Sequence, residues 1–221
     1  MSCVPPHGCK LQKTVWYDVG NMTQSIGIKV VLFSVIDNAL RVYVDHENIP
    51  SLAWTGEKSL DQAVGELTKR IPGLATDQGY CEQLYTFSST EAREYDLAIA
   101  YYVLLAEYKI PESLRSHWIA YEAMIDSPDL AIITYAVQRL RWKIEYTNAV
   151  YSLLPAEFTL GQLQRVYEAI LGKPLDKRNF RKKILSLGIL KDTRKKKSLG
   201  RARPAEVYAF KTRSLTYVEV L

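Results

Sequence analysis

The chain has 221 residues and a mass of 25.2 kDa, with 48% hydrophobic and 24% charged residues, an ordinary globular balance with room for one large domain or two small ones. No apolar run reaches the roughly 18 residues needed to cross a bilayer, and the opening MSCVPPHGCK lacks the apolar core of a signal peptide, so a cytoplasmic protein with no membrane partner is expected. The net charge of +5 conceals an asymmetry: residues 1–145 carry 13 Lys+Arg against 18 Asp+Glu, and residues 146–221 carry 16 against 6.

Residues 1–22 are mixed and rich in turn formers, and read as an N-terminal tail. Cys3, His7 and Cys9 lie close together there, but a zinc site wants four ligands and no partner pair is nearby, so no metal or cofactor is expected. With Cys81 the thiols number three, too few and odd for a disulfide framework.

SIGIKVVLFSVIDNALRVYVDH predicts two β-branched strands joined at Asp37-Asn38. SLDQAVGELTKR predicts a helix with Ser59 and Gln62 at capping-box spacing and an apolar stripe of Leu60, Ala63, Val64 and Leu67. YCEQLYTF and LAIAYYVLLAEY follow as strands around a polar loop, and His117, within SHWIAYEA, reads as a strand residue. SPDLAIITYAVQRLRWKIEY predicts a long helix, with Ser127 as N-cap and Pro128 at the first helical position. Strands mixed with two helices over this region indicate an α/β or α+β domain.

The back half changes character. Thr159 and Gln162 form a second capping box before LGQLQRVYEAILG, whose buried face is Leu160, Leu163, Val166, Tyr167 and Ile170. Asp176 caps KRNFRKKILSLG, which stops at Gly188. ILKDTRKKKSLGRARPAEVYAFK then reads as a strand, a long basic loop and a return strand. Helix, short turn, helix and basic hairpin outline a winged helix-turn-helix. Phe180, Ile184 and Leu187 share one face of the second helix, while Lys177, Arg178, Asn179, Arg181 and Lys182 point elsewhere, the division a helix in the major groove needs. Arginine suits guanine and asparagine suits adenine. Lys195, Lys196, Lys197, Arg201 and Arg203 of the hairpin would follow the phosphate backbone or minor groove. A merely solvated cationic face is the bland alternative. The coincidence of the charge with a capped helix pair favours double-stranded DNA as partner.

GEKSLDQAVGELTKRIPGL resembles the Nudix box, G-x5-E-x7-R-E-U-x-E-E-x-G-U, in which U is a bulky aliphatic residue and glutamates on one helix face hold magnesium. With Glu57 as its first glutamate, Gly65 stands at the arginine and Glu66 and Leu67 match. Lys69 and Arg70 replace the paired glutamates, Pro72 is inserted before Gly73 and Leu74, and Ser51 replaces the first glycine. Two cations where two anions would bind a dication leave no magnesium site and no catalytic residues, so the domain is not expected to be an enzyme.

YCEQLYTF, AIAYYVLL and QRLRWKIEYTNAVYSLLPAEFTLGQLQRVYEAILGKPLDKRNFRKKILSLGIL resemble the Nudix-related transcriptional regulators, the NrtR family, most specifically over residues 138–211. The LPGGFV-like strand that precedes the box in that family is missing, with ENIPSLAWT in its place. The resemblance implies an α+β chain: a Nudix-like α/β/α sandwich over residues 23–147 that senses an effector, then a winged helix-turn-helix over 148–221. It implies a regulator, most simply a repressor, that binds palindromic operator DNA as a homodimer. Family members respond to ADP-ribose, linking them to NAD metabolism, and relatives respond to sugars. Trp54, Lys69, Arg70, Tyr85 and Tyr101 would then lie near the effector, the cations meeting a phosphate and the aromatics stacking on a base or sugar. An active Nudix pyrophosphohydrolase with a DNA-binding appendage is the runner-up, and Lys69 and Arg70 argue against it. A structural nucleic-acid-binding protein would leave the acidic domain without a task.

Overall fold

The computed structural model describes residues 24–74, 79–88, 94–198 and 204–220. The predicted tail lies outside them. Strands β1 (Ile26–Ile36) and β2 (Ala39–Tyr43) form the expected hairpin. Its two-residue turn puts Asp37 and Asn38 at φ of 52° and 62°, the left-handed pair that matches strand twist. β3 (Ser51–Ala53) pairs with the start of β1, β4 (Tyr80–Ser88) with β5 (Leu97–Leu104), and β6 (Trp118–Ala120) with β2. β1 and β5 run parallel, so the sheet is mixed, in the order β4-β5-β1-β2-β6.

Strand alternation splits β1 between two cores. Ile28, Val30 and Leu32 meet helix α1 (Leu60–Lys69) through Ala63, Val64 and Leu67. Val31 and Phe33 meet helix α2 (Leu130–Tyr146) through Ile133, Ala136, Val137 and Leu140. Helices on both faces give a three-layer α/β/α sandwich.

Helices α3 (Leu160–Leu171) and α4 (Lys177–Ser186) follow, with a second sheet of β7 (Phe158–Thr159), β8 (Leu190–Lys197) and β9 (Ala205–Phe210) in the order β7-β9-β8. α3 begins at the predicted capping box, worth about 1 kcal/mol, and ends at Gly172 with φ +68°. Glycine is needed there twice over: the left-handed φ penalises other residues, and an added Cβ would stand 3.3 Å from the Arg141 guanidinium. One buried cluster runs from Val31 and Phe33 of the first sheet through α2 to Leu163, Tyr167, Phe180 and Phe210. Arg141 of α2 donates from Nε to the Ile170 carbonyl at the end of α3 (2.8 Å). The segment after β9 returns to the end of α2: Val218 and Val220 donate their N–H groups to the Tyr146 and Glu145 carbonyls.

Several expectations are corrected. α2 starts at Leu130, not after Ser127, with Asp129 at its N-cap. The Asp129 carboxylate does not cap; it pairs with buried Lys29 (2.6 Å) and accepts from the Ile49 N–H (3.0 Å). β5 stops at Leu104, before a 3₁₀ turn at Glu107–Lys109. His117 ends a 3₁₀ helix, Glu112–His117, rather than lying in a strand. Lys195, Lys196 and Lys197 belong to β8, not to a loop. β8 is an exposed edge strand, so it lacks the apolar alternation that marks strands in sequence. Its pairing with β9 slips between Asp192 and Lys196, and the bulge puts Arg194 at φ 59°.

β4 and α2 are tied by Glu82. Its carboxylate accepts from the Tyr80 and Tyr102 hydroxyls (2.8 and 2.6 Å), from Arg139 (2.8 Å) and from Lys143 (3.1 Å). Burial alone would raise its pKa, but the four donors prevail and hold it down at about 2. A depressed carboxylate pKa stabilises the fold above the unfolded value and ceases to do so as pH falls through the folded one. Glu82→Gln is therefore expected to lower stability at pH 7 by roughly 2–3 kcal/mol, and to flatten the loss of stability between about pH 4.5 and 2, measured by urea denaturation across that range.

Candidate effector cavity and nucleic-acid interface

The capping box Ser59–Gln62 starts α1 where the sequence places it, and the helix packs on β1 and β3 and faces the edge strand β4 and its neighbour β5. Between them opens a cavity of about 890 Å³, large enough for a nucleotide-sized ligand. α1 contributes Asp61, Gly65 and Lys69 to its lining, and the strands contribute Cys81, Gln83 and Tyr101. Gly65 stands at the arginine position of the box, and a Cβ there would meet nothing within 4 Å. A mid-helix glycine costs roughly 1 kcal/mol against alanine, and here it keeps the cavity wall bare. The Tyr101 hydroxyl faces Gln83 Oε1 at 3.4 Å. The Cys81 thiol is pushed up to about 11, chiefly by desolvation and further by Asp61 and Glu82, so at neutral pH it is no thiolate nucleophile.

The five residues expected near an effector separate. Lys69 and Tyr101 line the cavity; Trp54, Arg70 and Tyr85 do not. Arg70 donates to Glu66 (3.0 Å), as does Lys58. These two cations hold the Glu66 carboxyl below its ordinary range, Lys58 more strongly. Glu66, the glutamate retained next to the box's arginine position, is thus engaged by cations. Trp54 donates its indole N–H to the Lys58 carbonyl (2.9 Å). Tyr85 packs against Tyr135 of α2, ring centroids 5.5 Å apart, on the opposite side of the sheet. Asp61, Gly65 and Gln83 also line the cavity and were not among the residues predicted there, because nothing in their types singles them out.

The second surface is basic. Asp176 caps α4 by accepting from the Asn179 N–H (2.7 Å). Phe180 and Ile184 bury their side chains, and Phe180 packs edge-on against Tyr167 of α3. Lys177, Arg178, Asn179, Arg181 and Lys182 are exposed, and all but Lys182 line a shallow depression at the start of α4. Lys195, Lys196 and Lys197 are exposed on β8. Arg201 and Arg203 lie outside the described residues. Two cations are paired with carboxylates, Arg181 with Glu206 (3.2 Å) and Lys195 with Glu157 (2.7 Å). Arg194, thrust out at the β8 bulge, was not among the residues predicted to meet DNA; only its place in a basic run could have marked it.

Residues 150–210 match the NrtR DNA-binding winged helix domain. Over 203 residues, 83% of this chain and 80% of the relative, the sequence is 29% identical to a protein of Acinetobacter baylyi named ADPR responsive transcriptional repressor NtrR. The crystal structure of Shewanella oneidensis NrtR matches with a TM-score of 0.69 at 27% identity, covering 85% of this chain and 94% of that one. The same protein complexed with a 27mer DNA gives 0.67 at 27% identity, covering 84% and 93%. A MutT/nudix family protein from Enterococcus faecalis shares the fold, with a TM-score of 0.62 at 20% identity over 89% of this chain and 91% of that one. Among the described residues, no helix is long and apolar enough to cross a membrane. The chain thus resembles the solved NrtR structure over most of its length, with a Nudix-like sandwich followed by a region that matches the NrtR DNA-binding winged helix domain.

Proposed function

We infer that this protein is a ligand-responsive transcriptional regulator. Its winged helix binds operator DNA, and its Nudix-like domain senses a nucleotide or sugar metabolite without turning it over. The observation that carries the reading is the joint presence, in one chain, of an exposed basic helix and wing and, across the first sheet from the core they share with α2, of a ligand-sized cavity beside the altered box. The name of the Acinetobacter relative points to ADP-ribose as effector and to repression as output. The domain division we propose is 23–147 for sensing and 148–221 for DNA binding. We further propose a cytoplasmic homodimer on a palindromic operator, since one winged helix reads only a short half-site.

In this reading Lys69 anchors an anionic group of the effector, and Tyr101 lies beside its base or sugar. Lys69 has no ion-pair partner within 4.0 Å among the described residues, so its charge is available to a ligand. Arg70 and Glu66 satisfy each other and complete the helix surface. Catalysis is not part of the function, because Lewis-acid chemistry on a diphosphate needs a carboxylate cluster that α1 does not supply.

The direct test is gel shift of duplexes enriched by the protein from a random pool, with and without ADP-ribose. Added ADP-ribose is expected to release the DNA at least tenfold, about 1.4 kcal/mol of coupling. Gly65→Leu, which fills the bare cavity wall, is expected to keep DNA binding and abolish release. Release unchanged in that variant would move the effector elsewhere. Incubation of ADP-ribose with the protein and magnesium or manganese is expected to give no AMP above background by chromatography. Metal-dependent AMP formation that disappears in Glu66→Gln would instead support the hydrolase. Replacing Lys195, Lys196 and Lys197 together by Ala is expected to weaken enriched and scrambled duplexes alike. The slope of log K against log salt should then flatten by roughly 0.9 for each phosphate no longer neutralised, read by fluorescence anisotropy.

A further inference from the structure

The basic face contains a carboxylate that phosphate recognition does not call for. Glu206 lies on β9, directly opposite Lys196 of β8. Its Oε2 accepts from Arg181 of α4 at 3.2 Å and from the Tyr208 hydroxyl at 2.9 Å. Both members of the ion pair are about half exposed, 49% for the Arg181 side chain and 53% for that of Glu206. An exposed pair of this kind contributes little to stability. A fixed negative charge also opposes the approach of phosphates, since electrostatic attraction dominates affinity for DNA of any sequence. The carboxylate therefore weakens non-specific binding, and its place in the site calls for a compensating gain.

The gain lies in geometry. A guanidinium is a planar fork of five N–H donors. A carboxylate that engages one terminal nitrogen restrains the swing of the group and leaves the remaining donors free for two parallel hydrogen bonds, the pattern by which arginine reads O6 and N7 of guanine. Arg181 is one turn along α4 from Arg178, on the helix that carries the exposed polar residues. Tyr208, itself buried, donates its hydroxyl to the same Glu206 oxygen that Arg181 engages. The chain Tyr208–Glu206–Arg181 thus ties the orientation of an exposed guanidinium to the buried side of the wing.

Resting on the DNA-binding reading above, we propose that Glu206 is a positioning residue for sequence discrimination: it holds Arg181 for a guanine and repels DNA that offers none. The roles of Arg181 and Glu206 are separable from the plain charge of the face, because the two effects of removing Glu206 have opposite signs. On a scrambled duplex, removal of one negative charge strengthens binding. On a duplex enriched from a random pool by the parent protein, release of the held guanidinium cancels that gain or outweighs it.

The experiment compares the parent with Glu206→Gln, Arg181→Lys and the double variant, each verified by its thermal unfolding midpoint. Affinities are measured for the parent-enriched duplex and its scrambled counterpart at one salt concentration, and each variant is also passed through its own selection. Glu206→Gln is expected to bind the scrambled duplex several-fold more tightly and to lower the enriched-to-scrambled ratio about tenfold. Its selected sequences should lose the guanine preference at one position per half-site. Arg181→Lys, which keeps the charge and removes the fork, should lose preference at the same position, and the double variant should add less than twofold to the effect of either. The proposal is overturned if Glu206→Gln strengthens both duplexes equally and selects the parent's sequence, for the carboxylate then only trims the field. If the parent itself enriches no sequence, the DNA-binding reading fails with it. Enrichment by the parent with an unchanged preference in the variants removes this inference alone.

Discussion

Helix α2 has to satisfy two sets of neighbours at once. Ile132, Ile133, Ala136, Val137, Leu140 and Ile144 have almost no exposure, and the cluster they join contains both the first sheet and the winged helix. At roughly 1.5–3 kcal/mol for each large side chain buried, this shared packing is the main force holding the two parts in one arrangement. Polar interactions then fix the register. Glu82 binds Arg139 and Lys143 on the sheet side, and Arg141 reaches the Ile170 carbonyl on the other. A helix gripped at both flanks cannot turn about its axis without breaking one set. The wall of the cavity and the platform beneath α4 are thereby mechanically joined through a single element.

Much of the fold is legible in the sequence because its local signals and its packing agree. The capping boxes at Ser59 and Thr159, the Asp176 cap and the Asp37-Asn38 turn all stand where residue types put them. The start of α2 is not legible, because Asp129, an excellent cap by type, is held by Lys29 and Ile49, partners 100 and 80 residues away. No local pattern carries that information. The continuation of β8 through Lys195–Lys197 escapes for the opposite reason: as an exposed edge strand it has no apolar period to detect. The cavity is partly legible. The altered box draws attention to Lys69, but the fates of Arg70, Trp54 and Tyr85 are settled by neighbours whose positions depend on the completed fold.

In α1 the features that serve packing and those that face the cavity follow different rules. The helix keeps the spacing, the cap and the buried stripe, all of which serve packing. What changes is confined to the polar face. Glu66 is retained but neutralised by Lys58 and Arg70, and Gly65 leaves open the space an arginine would fill. The same scaffold thus presents a cavity with a cation at its rim in place of a cluster of acids.

The bulged strand β8 has a meaning beyond nucleic acid. It is the free edge of its sheet, and a flat free edge invites a strand from another molecule to pair with it. Here the register slip between Asp192 and Lys196 interrupts the row of backbone groups, and three consecutive lysines repel any copy of themselves brought alongside. The charge that draws the wing toward a polyanion also keeps one chain from adding to the next, so solubility and recognition are served by the same eight residues.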